Sequence, residues 1–433
     1  VNAVSGYRRS YWKTVAAGLG VAAGALAALV VLAAWVSPRP ASPAAWLAWA
    51  VAVVLAVATA AWATLVASGG LIALRRDALE ARGIPYAPRV PREWLPEPAV
   101  AALVRAFRKF TPRRRDGRLD LRPGESVEIR SLPEILATLD ARGTLDGLPF
   151  MPEMAASCGE RFRVFRRVDK LNDWVGHTGL RRLRGTVLLE RLRCDGAGHG
   201  SCQANCALRW KEAWLRRADT GADTPGGAGA GLPLVGEADL RRLASRQDAS
   251  GETRYVCQVT ELAAGTTPLA WADPRHYLRD LVCGNVRLGP LLAGIALALF
   301  NRVQRARRGV AFPCYAVMEG KASPHESLDL HPGEVVRVKT KGQIGQTLNA
   351  LNRNRGLKFD PELLRFSGGE YRVLTRVERL IEESTGKLIH LTNPSIILDG
   401  VNATAEYNAF CAQNESIFWR EIWLERATGG RLS

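Results

Sequence analysis

The amino-acid sequence predicts a mainly β protein with short helices: tandem SH3-like small β-barrels after a two-helix transmembrane hairpin. Three observations carry this expectation. Two long apolar runs lie near the N-terminal end. Beyond them one module occurs twice, at a constant offset of 209 residues (Pro123 to Pro332, Trp210 to Trp419). Within each copy, short stretches of alternating apolar and polar residues are separated by Gly and Pro turns, the pattern of several short strands.

Val15 to Val36 contains no charged residue, and Ala44 to Ala67 is interrupted only by Thr59 and Thr64. Each run exceeds the ~20 residues needed to cross a ~30 Å hydrocarbon core. Trp12, Trp35, Trp46 and Trp49 sit near the run ends, where an indole can straddle the interface. The link Ser37-Pro38-Arg39-Pro40-Ala41-Ser42-Pro43 cannot continue a helix, so residues 1–72 read as a tight hairpin. A cleaved signal peptide is disfavoured because the first run is too long and a second follows at once. Arg8, Arg9 and Lys13 precede the first run and Arg75, Arg76 and Arg82 follow the second, against Arg39 in the loop. By the positive-inside rule both termini and the modules are expected in the cytoplasm, at a bacterial inner membrane. In a reducing compartment the eight cysteines are free thiols or metal ligands rather than disulfides.

The formal net charge is +17. Residues 73–118 form a basic juxtamembrane connector, with Arg105, Arg108, Lys109, Arg113, Arg114, Arg115 and Arg118 close together. Anionic lipid is the expected partner of this charge, at ~1 kcal/mol per basic residue near the surface. Nucleic acid is disfavoured, since no RNA-binding aromatic signature or helix-turn-helix pattern accompanies it.

The first module spans 119–217. The motif Leu-Asp-Leu-x-Pro-Gly-Glu at Leu119–Glu125 is a turn feeding a strand at Val127–Ile129, and Ser131 with Glu134 makes a capping box for a helix through Leu139. Arg161–Val168 alternates as a half-buried strand should, and a strand pair is expected around Leu180–Leu192. The motif Trp-x-Glu-x-Trp-Leu at Trp210–Leu215 closes the copy. The second copy, 328–426, repeats the turn at Leu328–Glu334 and the closing motif at Trp419–Leu424. It also repeats Gly147-Leu148 as Gly356-Leu357, Pro152-Glu153 as Pro361-Glu362, Arg163-Val164 as Arg372-Val373 and Arg167-Val168 as Arg376-Val377. Glu212 and Glu421 are expected to be structural carboxylates, and Trp210, Trp214, Trp419 and Trp423 barrel core.

Between the copies, 218–251 reads as a flexible linker, Gly/Ala-rich over Asp219–Ala230. The insert 252–327 opens with a strand at Arg254–Val259. Asp273-Pro274 then caps a helix through Leu281. Leu288–Phe300 is apolar but too short to span, so it is either a helix buried between the modules or one lying on the membrane surface.

The chemistry-bearing feature is Cys194 to Cys206, where Cys194, His199, Cys202 and Cys206 fall in a Gly-rich run with the spacing Cys-x4-His-x2-Cys-x3-Cys. Three thiols and an imidazole are the ligand set of a closed zinc site, and Gly lets the chain fold back so that they converge. Cys158 is a candidate further ligand. Zinc is favoured over an iron–sulfur cluster. Two other readings stay open: simply buried thiols, or a reactive Cys202 beside His199. At the corresponding positions the second copy has Ala403 for Cys194, Asn408 for His199, Cys411 for Cys202, Glu415 for Cys206 and Ser367 for Cys158. The cluster is therefore a property of the first copy alone. Cys257, Cys283 and Cys314 read as buried thiols, and His276 has no assigned role. There is no Walker loop, nucleophile elbow or His-Glu-x-x-His motif.

The strings 145–154, Cys158-Gly159, 194–206 and 210–215, with Arg376–Glu378, Thr385–Leu391 and Trp419–Arg426 of the second copy, resemble an uncharacterised bacterial family. In it, Cys-Asp-Gly-x-x-His-Gly-Gly-Cys-Gln-x-x-Cys precedes Trp-Lys/Arg-Glu-x-Trp-Leu; here Ser201 stands where Gly is expected. The resemblance implies no particular activity. The expected function is a membrane-tethered scaffold or adaptor that recruits a protein partner through a metal-stabilised module. A metal- or thiol-dependent enzyme acting on a small molecule is the alternative, and a nucleic-acid- or anionic-lipid-binding protein the second.

Overall fold

The computed structural model describes residues 2–35, 42–86, 119–218, 233–314, 323–407 and 409–427. The basic segment Arg105–Arg118, the Gly/Ala-rich stretch 219–230 and Asn408 lie outside the described residues. The chain divides into two units: Val1–Ala87 with Gly289–Pro324 and Val338–Gly369, and Pro88–Leu288 with His325–Arg337 and Glu370–Ser433.

The first unit is built on α1 (Asn2–Trp35) and α2 (Pro43–Ala81), both long and apolar enough to cross a membrane. Ser42 caps α2 by accepting from the Ala45 N–H at 3.3 Å, and the Trp49 indole donates to Leu32 O at 2.9 Å. Gly18 lets the two backbones approach, since a Cβ there would stand 3.0 Å from Ala63 O. The third long helix, Leu288–Ala306, also belongs almost wholly to this unit and packs on the hairpin. At the charged ends of α1 and α2, Asp77 and Glu80 have no exposed surface. Lys341 Nζ donates to both, at 2.8 and 2.9 Å, and Tyr7 and Arg8 complete the shell of Asp77 at 2.7 and 2.6 Å. The place of Lys341 is taken in the first copy by Leu132, which packs against a hydrophobic core instead.

The second unit contains two five-stranded antiparallel sheets. In the first, β1 (Ser126–Ile129) leads to the short helix α3 (Leu132–Leu136), the two-residue strands β2 (Thr144–Leu145) and β3 (Leu148–Pro149), and a 3₁₀ turn at Pro152–Ser157. Then come β4 (Arg161–Arg167), β5 (Leu171–Asp173), β6 (Gly179–Arg182), β7 (Thr186–Arg193), β8 (Ala207–Lys211) and β9 (Leu215–Arg217). The sheet order is β8-β7-β4-β1-β9. The expected pair at Leu180–Leu192 does not form. β6 pairs with β5, and β7 pairs with β4 and β8, so the two stretches belong to different sheets. The capping box is present at Ser131, but α3 ends at Leu136 rather than Leu139. Trp210 and Trp214 are fully buried, with Phe150 set edge-on to both at 6.2 and 5.2 Å.

The segment 218–251, expected as a flexible linker, holds regular structure in its described part. It forms α4 (Glu237–Leu243) and β10 (Ser245–Gln247), because Val235 and Leu240 are apolar enough to join the core of the first sheet. β10 pairs with β11 (Thr253–Tyr255), β12 (Thr267–Pro268) pairs with β6, and α5 spans Pro274–Cys283 under the expected Asp273 cap. Lys170 Nζ meets Asp280 at 2.6 Å and His276 Nδ1 at 3.3 Å, which gives His276 a structural place that its sequence context did not suggest. In chain order α6 is Leu288–Ala306.

The second sheet has the order β18-β17-β16-β13-β19, with β13 (Val335–Val338), β16 (Glu370–Ile381), β17 (Leu388–Asn402), β18 (Ser416–Trp419) and β19 (Leu424–Arg426). The intervening elements are α7 (Lys341–Gly345), β14 (Arg353–Asn354), β15 (Leu357–Lys358) and a 3₁₀ turn at Pro361–Phe366. β13, α7, β14, β15, the Pro361–Phe366 turn and a last 3₁₀ turn, Glu421–Trp423 against Glu212–Trp214, start at the offset of 209 from their counterparts in the first copy. Overall the content is mixed: two long apolar helices, then mostly small antiparallel sheets.

A carboxylate anchors each sheet. Glu212 Oε1 accepts from the Leu121 N–H at 2.8 Å and from Arg167 Nη1 at 2.6 Å, with both side chains buried. Glu421 accepts from the N–H groups of Leu328 and Leu330 and from Arg376 at 2.5 Å. Each ties the start of its copy, before the Pro-Gly-Glu turn, to the closing Trp motif.

Candidate metal centre

Cys194 to Cys206 is the connection between β7 and β8. The Cys194 N–H donates to Cys206 O at 2.9 Å, so the two cysteines face each other across the base of the loop. From there the chain folds back. His199 N and Ser201 N both donate to Gly196 O, at 3.0 and 2.9 Å. Only Gly fits at 196: its φ is +71° and a Cβ would lie 2.1 Å from Cys202 O. At Gly198 a Cβ would lie 2.6 Å from Glu153 Oε2, so this residue admits the carboxylate of the 3₁₀ turn.

The result is a convergence of three donors. Cys194 Sγ stands 3.2 Å from Glu153 Oε1 and 3.5 Å from His199 Nε2, and His199 Nδ1 lies 3.5 Å from the same Oε1. One ligand atom from each residue falls within 4.8 Å of the others. A tetrahedral ion with bonds of about 2.0–2.3 Å spaces its ligands roughly 3.3–3.8 Å apart, so the Cys194–Glu153 and Cys194–His199 Nε2 separations are close to two edges of such a site, and the third edge, to a single His199 nitrogen, lies within 4.8 Å. Two polar atoms here, Glu153 Oε2 and His199 Nδ1, are buried without a hydrogen-bond partner. Orphaned buried acceptors and donors are costly, and a bound cation is one way to satisfy them.

Burial, and secondarily the nearby Glu153 carboxylate, pushes the Cys194 thiol well above its ordinary value. Burial lowers His199, against the opposing pull of Glu153. Burial also raises Cys206 and Cys257. These directions are the reverse of a thiolate–imidazolium pair. A cation would supply the positive charge that a coordinating thiolate requires.

The structure brings Cys194, His199, Cys202 and Cys206 to the wall of one largely apolar cavity, shared with Met151, Leu208, Val259 and Ile381. It does not bring Cys158 there. That thiol caps the 3₁₀ turn 4.0 Å from Met154 O, packs on the first core, and is pushed up to about 11 by burial and by Glu237. His199 approaches Cys194, not Cys202, whose Sγ instead accepts from the Ile381 N–H at 3.4 Å.

Two residues of the site escaped the sequence reading. Cys257 lines the cavity because its neighbour Gln258 is locked into the first sheet, accepting from Arg209 N at 2.8 Å and donating to Pro149 O and Arg209 O at 3.0 and 2.9 Å. Glu153 lies forty-one positions before Cys194 and was visible only as half of a repeated Pro-Glu pair. The second copy held a signal. Its Glu362 has Arg365 at 3.9 Å, whereas the position matching Arg365 in the first copy is Ala156.

The second sheet braces the loop. Gln203 Oε1 accepts from Glu378 N and Arg379 N at 2.8 and 3.0 Å, and Gln203 N donates to Arg379 O at 3.1 Å, at an irregularity in the β16–β17 pairing. Arg193 reaches Asn205 O and Asn414 O, both at 3.1 Å. Comparison with family models, curated proteins and solved structures finds no match to this chain.

Proposed function

We propose that this chain is a membrane-tethered adaptor in which tandem SH3-like modules follow a transmembrane hairpin, and the first module is held in shape by a metal ion, zinc by preference. The carrying observation is the convergence of one ligand atom each from Cys194, His199 and Glu153 within 4.8 Å, beside buried polar atoms that lack partners. The equal spacing of elements in the two copies and the identical strand order support the tandem reading. On this reading Cys206, facing Cys194, supplies the fourth ligand, and the modules sit on the cytoplasmic face of an inner membrane with the loops and sheet edges free for a protein partner. The motif resemblance agrees with the arrangement and adds no activity of its own.

A metal-dependent enzyme is the second reading, favoured by one observation: two of the donors, Cys194 and His199, border a largely apolar cavity that could admit a small molecule. The test is metal analysis of the full chain purified reduced in mild detergent. One zinc per chain is expected, retained in Cys158→Ser and lost in Cys194→Ser and His199→Ala. A metal-free native protein would sink the proposal. Loss of near-ultraviolet circular dichroism together with the metal assigns a structural role, whereas an intact fold after metal removal moves the balance to the enzyme.

A further inference from the structure

Helix α6 has two faces of opposite use. One packs on the hairpin. Gly69 is so close that a Cβ would lie 2.1 Å from Ala296 O, and one at Gly70 would lie 3.1 Å from the Phe300 ring. Tyr11 meets Phe300 edge-on at 5.1 Å, Ser10 Oγ donates to Gln304 Oε1 at 3.1 Å, and Arg307 reaches Thr14 at 3.4 Å. Small residues at such crossings are how helices approach closely in lipid. These contacts fall on residues 10–14 of α1 and 69–70 of α2, where the apolar runs give way to Lys13, Arg75 and Arg76. That is the depth of the headgroup layer for a hairpin whose apolar runs fill the hydrocarbon.

The other face is the more exposed one among the described residues. Leu288, Leu292, Ile295 and Leu299 follow one another at helical spacing, and Leu292 and Ile295 are 47% and 37% exposed. The same face ends in exposed Arg302 and Arg305, and exposed Arg308 follows in the turn just past the helix. An apolar stripe continued by basic residues, on a helix held at the membrane edge, matches a leaflet in chemistry and charge. We infer that α6 is a third membrane-contacting helix, lying in the interface with its outer stripe on acyl chains and its arginines on anionic phospholipid headgroups.

The inference rests on the hairpin being membrane-embedded, and the experiment separates the two. The full chain is reconstituted in vesicles carrying a diazirine-labelled acyl chain, in phosphatidylcholine alone or with phosphatidylglycerol, then irradiated and digested with trypsin. The peptide Leu288–Arg302 should be labelled along with peptides of α1 and α2, and several-fold more in phosphatidylglycerol. Ile295→Glu, on the exposed face, should remove the α6 label and spare the hairpin. Replacing Arg302, Arg305 and Arg308 by Gln should abolish the lipid preference. Label on α1 and α2 but not on Leu288–Arg302 overturns the inference, as does equal labelling in both lipids for its anionic part. Absence of label anywhere overturns the tether itself.

Discussion

Glu212→Gln offers a severe test of how the first sheet is held. The substitution keeps shape and an acceptor for the Leu121 N–H but removes the charge opposite Arg167, whose guanidinium is 1% exposed. Stripping one partner from a buried ion pair costs about 3–5 kcal/mol, because the remaining charge stays desolvated. The lower end applies here, since Arg167 keeps Asp169 at 2.9 Å and Leu121 O at 2.7 Å. At roughly 2–4 °C per kcal/mol for a domain of this size, the unfolding midpoint should fall by about 6–12 °C. In the second copy Arg376 is 24% exposed, so water recovers part of its charge and Glu421→Gln should cost about half as much or less. The assay is thermal unfolding of the detergent-solubilised chain, followed by the near-ultraviolet signal of the buried tryptophans at one fixed scan rate. A double substitution, Glu212→Gln with Arg167→Met, should recover part of the loss, because no unpaired charge stays buried, the Leu121 N–H keeps its acceptor, and Asp169 retains Arg279 at 2.5 Å. A midpoint within about 2 °C of the parent for Glu212→Gln, or a double variant worse than the single, would refute the argument.

Two further outcomes follow from the same geometry. Gly196→Ala should destabilise the loop by about 1–3 kcal/mol and abolish metal retention, since the new Cβ meets Cys202 O in a left-handed backbone; Gly124→Ala shares the positive φ but meets nothing within 4 Å, and should leave metal content unchanged. For pH, burial raises the Glu421 carboxyl, but the Leu330 and Leu328 N–H groups, Ser327 and Arg376 outweigh it and hold the group below its ordinary value. Its contribution is therefore present above the ordinary carboxylate value and lost as pH falls through the depressed one. Acid titration of unfolding should show a shallower decline in Glu421→Gln than in the parent, and identical slopes would count against this assignment.

The sequence by itself determined the features that depend on composition and local pattern. Hydropathy marked the α1–α2 hairpin, since length and apolar content suffice to define a candidate span. Ser131 with Glu134 and Asp273 with Pro274 marked helix starts, because capping is settled within four residues. The repeated Pro-Gly-Glu and Trp motifs marked two corresponding copies, and each motif's carboxylate does tie its copy's beginning to its end. The cluster from Cys194 to Cys206 was equally visible, being contiguous.

Only the tertiary structure decided which of those donors converge. Cys158 packs on the first core without lining the cavity, and Glu153 arrives because the glycines of the loop leave room and no arginine claims it. Cys257 joins the cavity through Gln258, across fifty-one positions from Cys206. Strand partners were also beyond local reading, as β6 and β7 read as neighbours and pair elsewhere. α6 likewise takes the hairpin as its partner, because Gly69 and Gly70 allow an approach that no hydropathy pattern encodes. Periodicity reports which face a residue will bury. What that face is buried against depends on long-range contacts, whose chain-closure entropy and side-chain fit are properties of the whole fold.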